Sequence, residues 1–169
     1  MIFGKKEIFA IEAYLNQGDR YVFANYCFWI KGNKIGDLTQ YTLIDSIIDL
    51  INIVFLYKGK RHEEHLDKAE YTDIIEKYIS KYIEDSNGFV FNIASYHDEC
   101  VQGYYIFLIE RNGYDIIFVK DNIDNTYIYY QIPKNSIYRC FKKLDDWIKE
   151  STVLVLKDYI YNLEGISKK

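Results

Sequence analysis

This sequence predicts an α+β fold, a mainly antiparallel β-sheet of about five to seven strands with about three α-helices packed on one face. Three observations predict it. Hairpin-type turn signals, at Asn16-Gln17-Gly18-Asp19, Gly32-Asn33 and Asn112-Gly113, separate short runs rich in Ile, Phe, Tyr and Val, and such turns join neighbouring strands antiparallel. Apolar residues recur at helical spacing in three other stretches. The resulting order, β-β-(β)-α-α-β-β-β-β-α, lacks the strand–helix alternation of parallel α/β folds.

Taken in order, residues 8–15 and 21–31 form a first hairpin around the Asn16–Asp19 turn. A second turn at Lys31-Gly32-Asn33-Lys34 returns Ile35 to Leu38 as a short strand. Thr42 is placed to cap a helix running to Tyr57, with Asp45 in its first turn favoured by the helix dipole. Thr42, Asp45, Ser46, Asp49 and Asn52 fall at spacings of three and four, one wet and acidic stripe on an otherwise apolar cylinder. Lys58 to Glu70 reads as a charged connection, and Tyr71, Ile74, Ile75, Tyr78, Ile79, Tyr82 and Ile83 mark a second helix that Asn87-Gly88 ends. Strands follow at Phe89–Ser95, Tyr104–Glu110, Tyr114–Lys120 and Thr126–Ile132, the last closed by Pro133, which cannot donate to a ladder. Ser136 caps a third helix whose core face is Ile137, Cys140, Phe141, Leu144, Trp147 and Ile148. Thr152 to Leu163 fits neither strand nor helix periodicity.

A length of 169 residues, one proline and nine glycines leave no segment of linker character, so residues 1–169 are expected to form one domain. Aromatic residues make up 18%, with 18 tyrosines, so many rings should sit at the boundary between core and surface; an AT-rich genome would also favour Tyr, Ile, Asn and Lys. A formal net charge of −4 argues against a phosphate-gripping protein and so against nucleic acid as a direct partner. It suits a cationic partner, and equally suits ordinary solubility. Cys27, Cys100 and Cys140 are too few and too scattered for a disulfide framework or a zinc site and fit a reducing cytoplasm. The N-terminus has no secretion signal, and Asp45, Ser46, Asp49 and Asn52 break the apolar run from Leu43 to Tyr57, so no membrane partner is expected.

No catalytic constellation stands out. His62-Glu63-Glu64-His65 has histidines three apart where the zincin pattern needs four, and a solvated connection explains it better than a metal site. His97-Asp98-Glu99-Cys100 holds a base, acids and a thiol, yet sequence neighbours rarely converge on one reacting atom. Neither a glycine-rich nucleotide loop nor a nucleophile elbow is present. No cofactor, metal or catalytic residue is expected.

In the N-terminal third the residues take on a pattern: Ile2-Phe3-Gly4, Phe9-Ala10-Ile11-Glu12, Tyr26-Cys27-Phe28-Trp29-Ile30, Gly36-Asp37-Leu38 and Thr42-Leu43. In this order, over roughly residues 1 to 55, they resemble the bacterial polymorphic-toxin immunity proteins grouped as immunity protein 42. The family pattern has a glycine before the second-strand aromatics, where this chain has Ala24-Asn25. The resemblance implies a cytosolic protein encoded beside a toxin, binding the toxin's C-terminal domain tightly and non-covalently, without a cofactor; exposed aromatics would serve a homodimer as readily as a toxin, so monomer and homodimer both stay open. Of the residues matching the motif, Trp29 is expected to anchor the core and Gly36 to serve a turn.

If the toxin is a nuclease with a basic cleft, the acidic stripe at Asp45 and Asp49, with Asp37 nearby, is the surface expected to enter it; otherwise that stripe is a solvated helix face. The competing functions are a non-enzymatic adaptor or regulator that binds another protein, and a small enzyme using His97, Cys100 or the His62/His65 pair.

Overall fold

Alternation sorts the N-terminal strands into two faces. In β2 (Phe9–Gln17) and β3 (Val22–Ile30), Phe9 lies opposite Ile30, Ile11 opposite Phe28 and Ala13 opposite Tyr26, and all six are buried in the core. The residues between them, Glu12, Tyr14, Asn25 and Trp29, take the other face. A computed structural model describes residues 1–18, 21–56, 58–59, 67–81, 91–93 and 98–166, with side chains described at the C-terminal end as far as Ser151. In it β1 (Ile2–Lys5) pairs with β2, while β4 (Asn33–Ile35) and β5 (Thr42–Leu43) both pair with β3, giving a five-stranded antiparallel sheet.

The connections within this sheet are shorter than expected. Lys31 and Gly32, with φ of 51° and 83°, form a two-residue turn, so β4 begins at Asn33 opposite Ile30 instead of at Ile35. Thr42 is no helix cap: it lies in β5 opposite Ala24. Two further residues of sheet pairing delay α1, which runs Ile44–Leu56. Its buried residues Ile44, Ile47, Leu50, Ile51 and Val54 follow the helical period.

α2 (Lys68–Lys81) starts three residues before its apolar pattern because of a capping box. The Asp67 carboxylate accepts from the Ala69 and Glu70 N–H groups at 2.8 and 3.0 Å, and the Asp67 N–H donates to Glu70 Oε2 at 2.7 Å. Behind α2 stands a second antiparallel sheet, β6 (Phe91–Asn92), β7 (Tyr104–Glu110), β8 (Tyr114–Asp121) and β9 (Thr126–Pro133), in that order. Asn112-Gly113 makes the β7–β8 turn, closed by the Arg111 N–H on the Tyr114 carbonyl at 3.0 Å. The central run of β8, Asp115 to Lys120, is buried without alternation because both faces of this sheet are covered. One face meets α2, where Tyr71 and Ile75 pack with Phe107, Ile109, Ile116 and Phe118. The other contributes Ile106, Leu108, Ile117 and Val119 to the main core shared with the first sheet, α1 and α3.

α3 spans Ser136–Ile166, so the stretch from Thr152 to Leu163 is helical. Ile137, Cys140, Phe141, Leu144 and Ile148 are buried as the spacing required, and Trp147 packs on Phe3 with ring centroids 5.2 Å apart. The residue ahead of the helix is Asn135, at φ 62°, whose carbonyl accepts from the Arg139 N–H at 3.1 Å. Ser136 is therefore the first helical residue and not the cap, and its hydroxyl donates back to the Pro133 carbonyl at 2.6 Å. Asp115 fixes this corner, accepting the Asn135 N–H at 2.7 Å and pairing with Lys134 at 3.1 Å. Burial pushes its carboxyl above the usual range, against the pull of Lys134 and Asn135.

The α+β class and antiparallel pairing are as expected, but the strands divide between two sheets, and α2 lies on the far side of the second. The Asn87-Gly88 cap, the ends of the second helix and of the Phe89–Ser95 strand, and the histidines at 62, 65 and 97 lie outside the described residues.

Candidate interaction surface

The face of the first sheet turned away from the core is open along much of its length and is built around one carboxylate. Glu12, on β2, accepts from the Tyr14 hydroxyl at 2.7 Å, the Trp29 indole N–H at 2.8 Å and Lys6 Nζ at 3.0 Å. Burial raises its pKa, but the bonds from Tyr14, Lys6 and Trp29 and the charge of Lys6 outweigh that, holding it at about 2. Lys6 also sits 3.7 Å from the Trp29 ring centroid. An always-ionised carboxylate with three fixed donors is no proton donor at neutral pH; it is a device for holding two aromatic rings and a cation in one arrangement.

Further along the same face, Phe23 meets Tyr21 and Tyr41 edge-on, with centroids 6.5 and 5.4 Å apart. Tyr21 is 62% exposed and Tyr41 56%. Asn25 bonds Asn16 and donates to the Gln40 carbonyl, tying the strand to the loop that carries Tyr41.

That loop is positioned by Gly36. Its φ is +105°, and a Cβ there would lie 2.6 Å from the Cys100 carbonyl oxygen, so the position combines a turn with a close backbone approach. The next residue, Asp37, donates its N–H to that carbonyl at 2.7 Å. The 3-10 turn Glu99–Val101 is held in turn by buried Asp98, which accepts from the Cys100 N–H at 3.0 Å and the Tyr26 hydroxyl at 2.8 Å. The segment His97–Cys100 thus contributes architecture through Asp98 and Cys100.

Of the residues singled out in the sequence, Asp45 and Asp49 are exposed one turn apart on α1, on a ridge that continues through Ile53 and Leu56, 40% and 58% exposed. Asp37 is exposed in the neighbouring loop, where it accepts from the Thr39 N–H and hydroxyl at 2.9 and 2.8 Å. The Thr39 N–H lowers its pKa. Leu43, 44% exposed, bridges loop and ridge. Trp29 does not anchor the core: it is half-buried across from Ala10, on the side of the sheet that also carries Glu12 and Tyr14. The Lys6–Glu12–Tyr14–Trp29 cluster was not singled out, although alternation puts Glu12 and Tyr14 on one side of β2.

Burial raises the thiols of Cys27 and Cys140 to about 11 and that of Cys100 to about 12, far from the thiolate a nucleophile needs. Among the described residues, no group of three or more His, Cys, Asp or Glu is placed to hold a metal ion, and no helix is long and apolar enough to cross a membrane. The surface offers rigid aromatics next to exposed acids, the composition of a protein-contact site.

The sequence model of the family described as immunity protein 42 matches residues 1–147. Among solved structures, the chain is similar to the crystal structure of CdiI from Burkholderia dolosa AUO158, with a TM-score of 0.63 over 85% of this chain and 97% of that one. Identity between the two is 12%, so the likeness is one of fold. No curated protein matches the chain.

Proposed function

The chain belongs to the immunity protein 42 family, matched over residues 1–147, and from this premise we propose that it binds and neutralises a cognate bacterial toxin domain in a tight non-covalent complex. The family match is the observation that carries the reading. The fold shared with CdiI, and a surface of preset aromatic rings beside exposed acids, support it. The protein acts by occupying the toxin and not by chemistry of its own, in the cytoplasm of the cell it protects.

The acidic ridge of Asp45 and Asp49, with Asp37 in the adjoining loop and Tyr41 and Leu43 between them, is the part of the contact surface that meets positive charge on the toxin. A nuclease, whose cleft must attract phosphate, is the toxin class such a ridge fits best. Exposed aromatic and aliphatic side chains supply area, and the carboxylates supply steering and register.

Co-expression with the C-terminal domain of the toxin-like protein encoded beside this chain's gene tests the reading. Cells are expected to survive and the two proteins to co-purify. Asp45→Lys/Asp49→Lys is expected to weaken the complex by about 10- to 100-fold, mostly through slower association at low salt. Death of the cells with no co-purification contradicts the immunity reading and favours an adaptor for some other protein. Survival with an unweakened complex in the double variant moves the contact away from the ridge.

A further inference from the structure

At the C-terminal end of α1 lies a feature that an acidic chain gives no reason to expect. A groove of about 950 Å³ between the β1–β2 turn, the end of α1 and the start of α3 is lined, among the described residues, by Lys5, Lys58, Arg139, Lys142 and Lys143 and by no carboxylate. Acids outnumber bases 25 to 21 in the chain as a whole, so five cations without an acid among the described lining residues is a local reversal of sign. Lys142 is compensated by Asp146 at 2.7 Å. Lys58 lies 5.1 Å from the Tyr138 ring centroid, and among the described residues Lys5, Lys58, Arg139 and Lys143 have no ion-pair partner. The groove is lined between these cations by Ile8, Phe55 and Tyr138, which makes its floor apolar.

We propose that this groove is a second contact region for the toxin and takes an acidic segment of that protein, with an apolar side chain entering between the cations. The proposal rests on the immunity reading and extends it. Groove and ridge share α1, which carries Asp45 and Asp49 near one end and the groove-lining Phe55 near the other, with Lys58 just beyond. Thirteen helical residues span roughly 20 Å, and a standard interface of about 800 Å² per partner is wide enough to cover both ends. The contact surface is therefore bipolar, acidic at the start of α1 and basic past its end. A folded protein can present both complementary signs in one rigid patch. A nucleic acid cannot, because a phosphate backbone running out of the groove along α1 meets Asp49 and Asp45.

The test uses the full chain and the purified C-terminal domain of the adjacent toxin-like protein, with affinities measured by calorimetry at 50 and 300 mM salt. In Lys5→Glu/Arg139→Glu/Lys143→Glu the three reversed side chains are all exposed, and Arg139 gives up only two long bonds, to the Lys134 carbonyl and the Ser136 hydroxyl at 3.4 Å each; Lys58, over the Tyr138 ring, and Lys142, paired with Asp146, are left alone. The variant is expected to bind about 100-fold more weakly at low salt, with much of the salt dependence gone; Lys68→Glu, an exposed control on α2, is expected to bind as wild type. Should the triple variant melt early, Arg139→Gln/Lys143→Gln replaces it, with about tenfold weakening expected. Binding of the reversed variant within threefold of wild type overturns the proposal. Tighter binding of wild type to a 20-base-pair duplex than to the toxin domain, lost in the triple variant, overturns it in favour of nucleic acid. Failure of the wild-type chain to bind the toxin domain is a separate outcome that removes the immunity reading and this inference with it.

Discussion

Glu12 is the residue on which the open face of the first sheet depends. Its side chain is 12% exposed, and three donors converge on it. Because the folded state holds its pKa at about 2, below the ordinary 4.5, the carboxylate stabilises the fold fully above pH 4.5. That contribution is lost as pH falls toward 2. Glu12→Gln is accordingly expected to lower stability by about 2 kcal/mol at pH 7, in urea titrations followed by circular dichroism. The gap to wild type should narrow steadily between pH 4.5 and 2.5; a gap independent of pH would show that the ion is not what matters. The side of the sheet on which Trp29 lies was hard to read because β3, VFANYCFWI, is apolar on both faces. Only β2, where Glu12 and Asn16 mark the wet side, and the register that sets Ala10 against Trp29 decide it. Gly36 was readable as a turn residue, but its approach to Cys100 is a contact across 64 positions that no local pattern encodes.

At the scale of elements, local chemistry was readable wherever one turn or one period decides the outcome. Asn112-Gly113 makes its hairpin, and α3 buries the face its spacing defined, as described above. Where a long-range partner decides, the sequence was silent: Thr42-Leu43 becomes strand only because Phe23 and Ala24 are there to pair with it. The start of α2 was hidden for a different reason, since the capping pair Asp67 and Glu70 lies inside a charged stretch that reads as solvated connection. Asp67→Ala removes the acceptor for the Ala69 and Glu70 N–H groups and should cost about 1 kcal/mol. Hydrogen exchange should quicken first in residues 68–71, with α1 and α3 unchanged. Equal quickening throughout all three helices would mean that α2 has no independent start.

The whole molecule is two antiparallel sheets about a shared core, and its outer surface has a division of charge of which periodicity announces only the acidic half. A net charge of −4 conceals an acidic ridge at one end of α1 and a groove of cations beyond the other. The motif that carries the family resemblance lies in roughly the first 55 residues, whereas the match extends through residue 147 and takes in the second sheet and the start of α3. Toxin neutralisation is the function to which the family points. Titrating the purified chain into the purified C-terminal domain of the adjacent toxin-like protein, while following that domain's own activity, asks the question directly. Activity should fall linearly and reach zero at one equivalent; full activity in the presence of a tenfold excess of folded chain would contradict the toxin-neutralising role.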